Sequence, residues 1–269
     1  MSIDRIDRRR FLALPLALLL APVLTPAARA LAEVARRRGT YQADVGLLYE
    51  VFTFRLDGTV DETIDRVAGR YEITIAGQGK SIANRIESSG LLREGRWAPL
   101  QTRSRFQVYG RESSTEVTYD YDRARIAYRA RSETFLLRRL RAVDDILTLP
   151  EGVHVDDTAT ATLNYAEGLW PAQAEGRRRT HVVRRKMADD EGPDDVATSY
   201  HAELAPFDLV VEPAERGGKA TAQIDLSRFS SWARPSRPAR IVFGADARPE
   251  QITTPLILGS SIRIRFASV

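Results

Sequence analysis

Three short stretches of the chain carry residue types that do chemistry. His201-Ala202-Glu203 has the spacing that sets a carboxylate base beside a zinc-bound water. His154 with Asp156 and Asp157 offers one imidazole and two carboxylates to a metal ion. Gly79-Lys80-Ser81 ends as a phosphate-cradling loop ends.

Each fails on what surrounds it. The zinc site of the first kind is completed by cysteines, and the chain has none. The same absence excludes disulfides, iron–sulfur clusters and thiol nucleophiles. The phosphate loop needs a glycine five positions before Gly79, where Thr74 stands, and a strand running into a helix. Ser81 onward instead alternates like another strand. His154 and its neighbours read as an exposed turn and a helix cap. No Gly-x-Ser-x-Gly elbow supplies a nucleophile. The expectation is a chain without catalytic residues, metal ligands or a cofactor, and therefore not an enzyme.

The elements available to position any site are strands. Tyr71, Ile73 and Ile75 alternate with Glu72 and Thr74; Val117, Tyr119 and Tyr121 repeat the pattern, as do Ile126 and Tyr128. Ala220, Ala222, Ile224 and Leu226 do so later, and Ile262, Ile264 and Phe266 alternate with Arg263 and Arg265. A period of two places one side of each segment in water and the other in a core. Asp57-Gly58 suits a primed hairpin turn. Gly77-Gln78-Gly79, Glu94-Gly95, Gly110 and Asp120 to Arg123 mark further reversals. Leu47 to Leu56 reads as one strand that is apolar on both sides, hence covered on both. Val143 to Leu147 is expected to open a short helix with an aspartate cap. Asp156-Asp157 caps a second one running to Tyr165 and ended by Gly168 and Pro171.

The fold class is all-β, mainly antiparallel: a curled sheet, barrel or half-barrel with one or two short helices. Within it, Tyr49, Phe52, Phe54, Phe106, Tyr119, Tyr121 and Tyr128 are the candidate residues of a ligand cavity. Barrels of modest size either enclose a ligand or fill their middle with side chains, and both readings of these aromatics stand.

Location is written at the start. Asp7-Arg8-Arg9-Arg10-Phe11-Leu12 matches the twin-arginine export pattern; a 14-residue apolar stretch, Phe11 to Leu24, and a cleavage signal, Ala30-Leu31-Ala32, follow. That stretch is shorter than the roughly 20 residues of a spanning helix. Residues 1–32 read as a cleavable export signal and 33–269 as a single periplasmic β-rich domain with no transmembrane span. The signal holds five of the 40 basic and two of the 36 acidic residues, leaving 35 and 34, a net charge of +1. No basic excess calls for nucleic acid. Arg177 to Arg179, Arg184 to Lys186 and the acidic 189–195 loop read as a solvated hairpin, because no aromatics are interleaved for base stacking.

Leu47 to Phe54, Tyr71-Glu72-Ile73, Ser89-Gly90, Gly95 followed by Pro99, and Tyr119-Asp120-Tyr121, in that order, resemble the exported bacterial proteins known as domain of unknown function 3108. The resemblance spans roughly residues 44 to 260 and rests on hydrophobic spacing and turn glycines. It implies an exported β-rich protein without a known active site, similar in architecture to envelope proteins that wrap an open barrel around a lipid chain. The expected partner is a lipid or another apolar small molecule. An envelope protein partner is the alternative, with function on edges and loops.

Overall fold

The computed structural model describes residues 34–188, 191–212, 214, 218–234 and 236–268. The proposed export signal lies outside the described residues, as do Asp189 and Asp190 of the acidic loop. Fourteen strands are assigned among the described residues. The first meander comprises β1 (Ala35–Leu47), β2 (Phe52–Asp65), β3 (Arg70–Gly79), β4 (Ile82–Arg93), β5 (Arg96–Val108), β6 (Arg111–Asp120), β7 (Arg125–Glu133) and β8 (Leu140–Thr148). One α-helix, α1 (Thr158–Ala166), separates it from β9 (Arg177–Arg185), β10 (Ala202–Glu212), β11 (Thr221–Ile224), β12 (Ala239–Phe243), β13 (Pro249–Pro255) and β14 (Ser261–Ser268).

All strands belong to one antiparallel sheet, ordered β8-β7-β6-β5-β4-β3-β2-β1-β14-β13-β12-β11-β10-β9. The two meanders are joined by the β1–β14 ladder, in which Tyr41 faces Phe266 and Val45 faces Ile262. The sheet ends, β8 and β9, share no ladder. Instead the sheet curls until β9 and β10 lie against β7 and β8. Val183, Ala202 and Leu204 pack with Tyr128 and Val143, and the Ala202 N–H donates to Asp145 Oδ2 at 2.7 Å. The result is a nearly closed barrel. The expected all-β class and short helix are what the chain adopts.

Three local expectations are corrected. Val143 to Leu147 is part of β8, not a helix start: Val143 is buried while Asp144 faces out against Arg129. Asp57-Gly58 lies inside β2, not at a turn. Gly58 is required there for space, since a β-carbon would overlap the Tyr41 ring and the Ala76 carbonyl. The stretch from Leu47 to Leu56 is two strands, β1 ending and β2 beginning, reversed by Leu48, Tyr49 and Glu50, all with φ between 52° and 62°. That turn is anchored by Leu48 N–H on Ser260 Oγ (2.9 Å) and Tyr49 N–H on the Leu258 carbonyl (2.7 Å).

The second expected helix is α1. Asp157 closes a capping box, accepting from Thr160 N–H at 2.8 Å while Thr160 Oγ1 accepts from Asp157 N–H at 2.9 Å. Its threonine-rich sequence is a poor helix former, so burial must carry it. Ala159 and Leu163 pack on Ile64, Tyr71 and Trp97 of β2, β3 and β5. Ala161 and Tyr165 face the opposite wall, near Trp170 and Phe243. The helix is thus a plug inside the barrel. No helix among the described residues is long and apolar enough to cross a membrane.

Candidate functional site

The barrel interior is divided. At one end Tyr41, Leu47, Phe54, Leu56 and Val108 form a packed cluster with Phe52, Phe135 and Trp232. Beyond it, bounded by α1 and by strands of both meanders, lies a cavity of about 660 Å³. That volume is within the range of roughly 300–1,000 Å³ typical of small-molecule sites. Its wall is mostly apolar, with Val117, Tyr119 and Tyr128 from the first meander and Leu209, Ile241 and Phe243 from the second.

The alternation of the strands builds this wall. On β10, Phe207 and Leu209 point inward, while Ala202 and Leu204 point outward onto β7 and β8. Phe207 stacks on Trp170 at 6.3 Å and meets Phe229 edge-on at 5.7 Å, so one side of the cavity is a continuous aromatic surface.

Of the seven expected cavity aromatics, two, Tyr119 and Tyr128, line the cavity. Tyr121 stacks on Tyr119 at 6.3 Å and carries the Arg93 guanidinium over its ring at 4.8 Å, behind the wall. Phe52 and Phe54 belong to the packed end cluster, where both meet Tyr109 edge-on. Tyr49 is excluded from any cavity: it sits in the turn, 76% exposed. Phe106, at 41% exposure, is neither in the cavity wall nor in the end cluster. The residues that sequence reasoning missed are Trp170, Phe207, Phe229 and Phe243, together with Arg184. Their signal in the sequence is the shared parity of Phe207 and Leu209, which the denser aromatics of the first half outweigh.

The polar residues near the cavity are held by internal bonds. Asp156 is fully buried, contrary to the exposed turn expected for it. It receives Thr180 Oγ1 at 2.6 Å, Asn164 Nδ2 at 2.8 Å and Arg96 Nη2 at 3.0 Å, with His154 Nε2 at 3.3 Å. These bonds tie β9, α1 and β5 together. Asp157 Oδ2 accepts from Ser88 and Thr102, both at 2.5 Å, and Ser88 also meets Tyr71 Oη at 2.8 Å. Both carboxylates are therefore occupied by donors of the fold. No group of three metal-ligating side chains is found among the described residues. His201 is exposed on the outer side, 3.4 Å from Asp145, and Glu203 points the other way, onto Arg184.

Burial sets the ionisation of the tyrosines. Desolvation pushes the Tyr119 hydroxyl well above its ordinary range, with the negative charges of Asp157 and Asp156 adding to it. Tyr71 and Tyr121 rise for the same first cause, and Tyr128 does too. The wall thus presents neutral phenols.

The basic run of β9 is engaged within the fold. Arg179 binds Asp208 at 2.6 and 2.8 Å, Arg185 binds Glu191 through two bonds of 2.7 Å, and Arg178 donates to the Trp170 carbonyl. Arg141 of β8 closes the seam, donating to the carbonyls of Gly192, Pro193 and Asp195.

No protein-family model matches the chain, and no curated protein matches it by sequence. Among solved structures it is similar to a beta-barrel-like protein of domain of unknown function DUF1849 from Brucella abortus. That likeness has 10% identity and a TM-score of 0.40, and covers 88% of this chain and 99% of the other.

Proposed function

We propose that this chain is an exported, non-enzymatic protein of the cell envelope that binds or carries an apolar ligand, such as a lipid or acyl chain, inside its barrel. The observation that carries this reading is the cavity of about 660 Å³ with its mostly apolar wall. A packed core would have closed it, because protein interiors tolerate few voids larger than a water molecule. Binding there draws on apolar area removed from water, about 25 cal/mol per Å² before the costs of ordering. The two carboxylates beside it, Asp156 and Asp157, are consumed in positioning α1, β5 and β9, which favours a container over a reaction centre. The twin-arginine pattern and cleavage signal of residues 1–32 support periplasmic delivery. The residue order shared with domain of unknown function 3108 supports the same reading.

Native mass spectrometry of the mature protein, released gently from the periplasm of its host, tests it. A fixed excess mass that extracts into organic solvent is the expected result and names the lipid class. A bare polypeptide mass under every release condition overturns it.

A second reading, an envelope interaction protein, is favoured by one specific surface. Tyr49 and Val51, at 76% and 74% exposure, lie in and just after the turn between β1 and β2, where the Tyr49 N–H binds the carbonyl of the exposed Leu258. Apolar residues exposed together mark contact sites. Cross-linking from residue 49 in the periplasm reads this out, with capture of one stoichiometric partner as the supporting result.

A further inference from the structure

The inner face of the first meander opens at one row. Across the β4 to β8 ladders, Asn84, Phe106, Ser113, Ser132 and Arg141 stand opposite one another in register. Asn84 accepts from the Tyr41 hydroxyl of the packed end cluster at 2.5 Å, so the row points inward. An inward phenylalanine is ordinarily buried, yet Phe106 is 41% exposed. Ser113, Ser132 and Arg141 continue the row as part of the cavity wall. Solvent therefore reaches the interior here, and the row is the mouth of the cavity.

This mouth is polar and holds donors that the fold does not use. Neither serine hydroxyl makes a hydrogen bond among the described residues, and neither is shut off from solvent. Arg141 gives Nε and Nη2 to the carbonyls of Gly192, Pro193 and Asp195, and its Nη1 has no acceptor among the described residues. Two guanidiniums border the cavity at this end, Arg141 and Arg185, and they share one carboxylate, Glu191, at 3.3 and 2.7 Å. Asp194 and Asp195 of the same loop are bound to backbone N–H groups and do not line the cavity. The acids that do line it, Asp156 and Asp157, belong to the far end. Asp157 binds Thr102, four residues along β5 from Phe106, a distance of about 13 Å. A negatively charged oxygen thus gains charge-assisted bonds at the mouth and nowhere deeper. We infer that the ligand is an amphiphile with an anionic head, a carboxylate or a phosphate, received by Ser113, Ser132 and Arg141. Its chain runs inward between Val117 and Leu209 toward α1. This inference rests on the apolar-ligand reading above.

Displacement of the uncharged probe N-phenyl-1-naphthylamine from the delipidated mature protein at pH 8 tests it, with dodecanoate, dodecyl phosphate and dodecanol as competitors. At least one anion is expected to compete about tenfold better than the alcohol, as a charge-assisted hydrogen bond allows. The stronger of the two anions assigns the head as carboxylate or phosphate. The double variant Ser113→Ala/Ser132→Ala removes both hydroxyls and leaves the Arg141–Glu191 pair in place. It is expected to bind dodecanol as before and to lose most of the anion's advantage. Dodecanol competing as well as both anions, or better, overturns the inference. So does an anion advantage that is unchanged in the double variant. Failure of the probe and of all three competitors to bind overturns the apolar-ligand reading itself.

Discussion

Asn164 occupies the place of a neighbouring strand beside Trp97. Its Oδ1 accepts the Trp97 N–H at 2.8 Å and its Nδ2 donates to the Trp97 carbonyl at 2.9 Å, so one side chain of α1 satisfies both backbone groups of a buried strand residue. The same Nδ2 reaches Asp156 Oδ1 at 2.8 Å. The helix is therefore keyed into the barrel by a backbone-like bond, and the cavity floor that it forms has a fixed position.

Replacing Asn164 with aspartate removes the donor to the Trp97 carbonyl and sets a second carboxylate against Asp156. Urea unfolding at pH 7 should show a loss of about 3 kcal/mol. The introduced carboxyl has a raised folded pKa because of its neighbour. The deficit relative to wild type should therefore shrink as pH falls toward 4, where the pair retains a proton.

Gly58→Ala in β2 forces a β-carbon into the Tyr41 ring, whose hydroxyl donates to Asn84 Oδ1 at 2.5 Å. Overpacking of this kind costs about 1–3 kcal/mol. The double variant Gly58→Ala/Tyr41→Ala should be less destabilised than the sum of the two singles. Guanidinium midpoints of the four proteins complete that cycle.

Alkaline pH should unfold the protein steeply. Tyr71, Tyr119, Tyr121 and Tyr128 all have folded pKa values raised by burial. The unfolded chain releases these protons near pH 10 while the native state keeps them, so stability is whole below about pH 10 and falls above it. Tyrosinate absorbance and circular dichroism should change together during that fall. Absorbance from all four rising well before the fold is lost would contradict it.

Filling the cavity should abolish binding without unfolding the chain. Ala161 of α1 lines the cavity, and Ala161→Trp projects an indole into it. Affinity for an apolar probe should drop by at least about tenfold, or 1.4 kcal/mol, with thermal stability near that of wild type. Unchanged probe affinity would place the binding site elsewhere.

Arg141→Met should open the seam. The arginine side chain is 10% exposed, and its Glu191 partner is 4% exposed. Glu191 keeps its two bonds from Arg185, so the cost comes from the loop carbonyls of Gly192, Pro193 and Asp195 left without a donor, about 1–3 kcal/mol. Limited trypsin digestion should then cleave after Lys186 many times faster, while a cavity-wall change such as Ala161→Trp leaves that rate unchanged.

The strands were legible because each has one buried face, and Tyr71, Ile73, Val117, Tyr119, Ile126 and Tyr128 alternate accordingly. What escaped reading had local signals that pointed elsewhere. Leu48, Tyr49 and Glu50 turn the chain without a glycine, proline or asparagine, held by Ser260 and Leu258 from more than 200 residues away. Asp57-Gly58 carries the signature of a hairpin, yet its glycine makes room for an aromatic ring. Asp144-Asp145 resembles a helix cap, while Asp145 serves as acceptor for a strand of the other meander. The site was half legible for a similar reason. Its first-meander wall holds Tyr119 and Tyr128, but Arg184, Phe207 and Phe229 reach it only through the sheet's closure, which no local pattern encodes.

The β1–β14 ladder has a consequence for the chain as it is made. β14 is the last of the described strands, so β1 keeps one unpaired edge until β14 has emerged, exposing the backbone of Tyr41, Ala43 and Val45. A bare edge of that length is a template for a strand of another chain. Arg36, Arg37 and Arg38 stand at its entrance, and Asp44 interrupts it. Cations and a carboxylate at such an edge act as gatekeepers against self-association. The arginine run of β1 thus guards the unfinished barrel before it decorates the finished one.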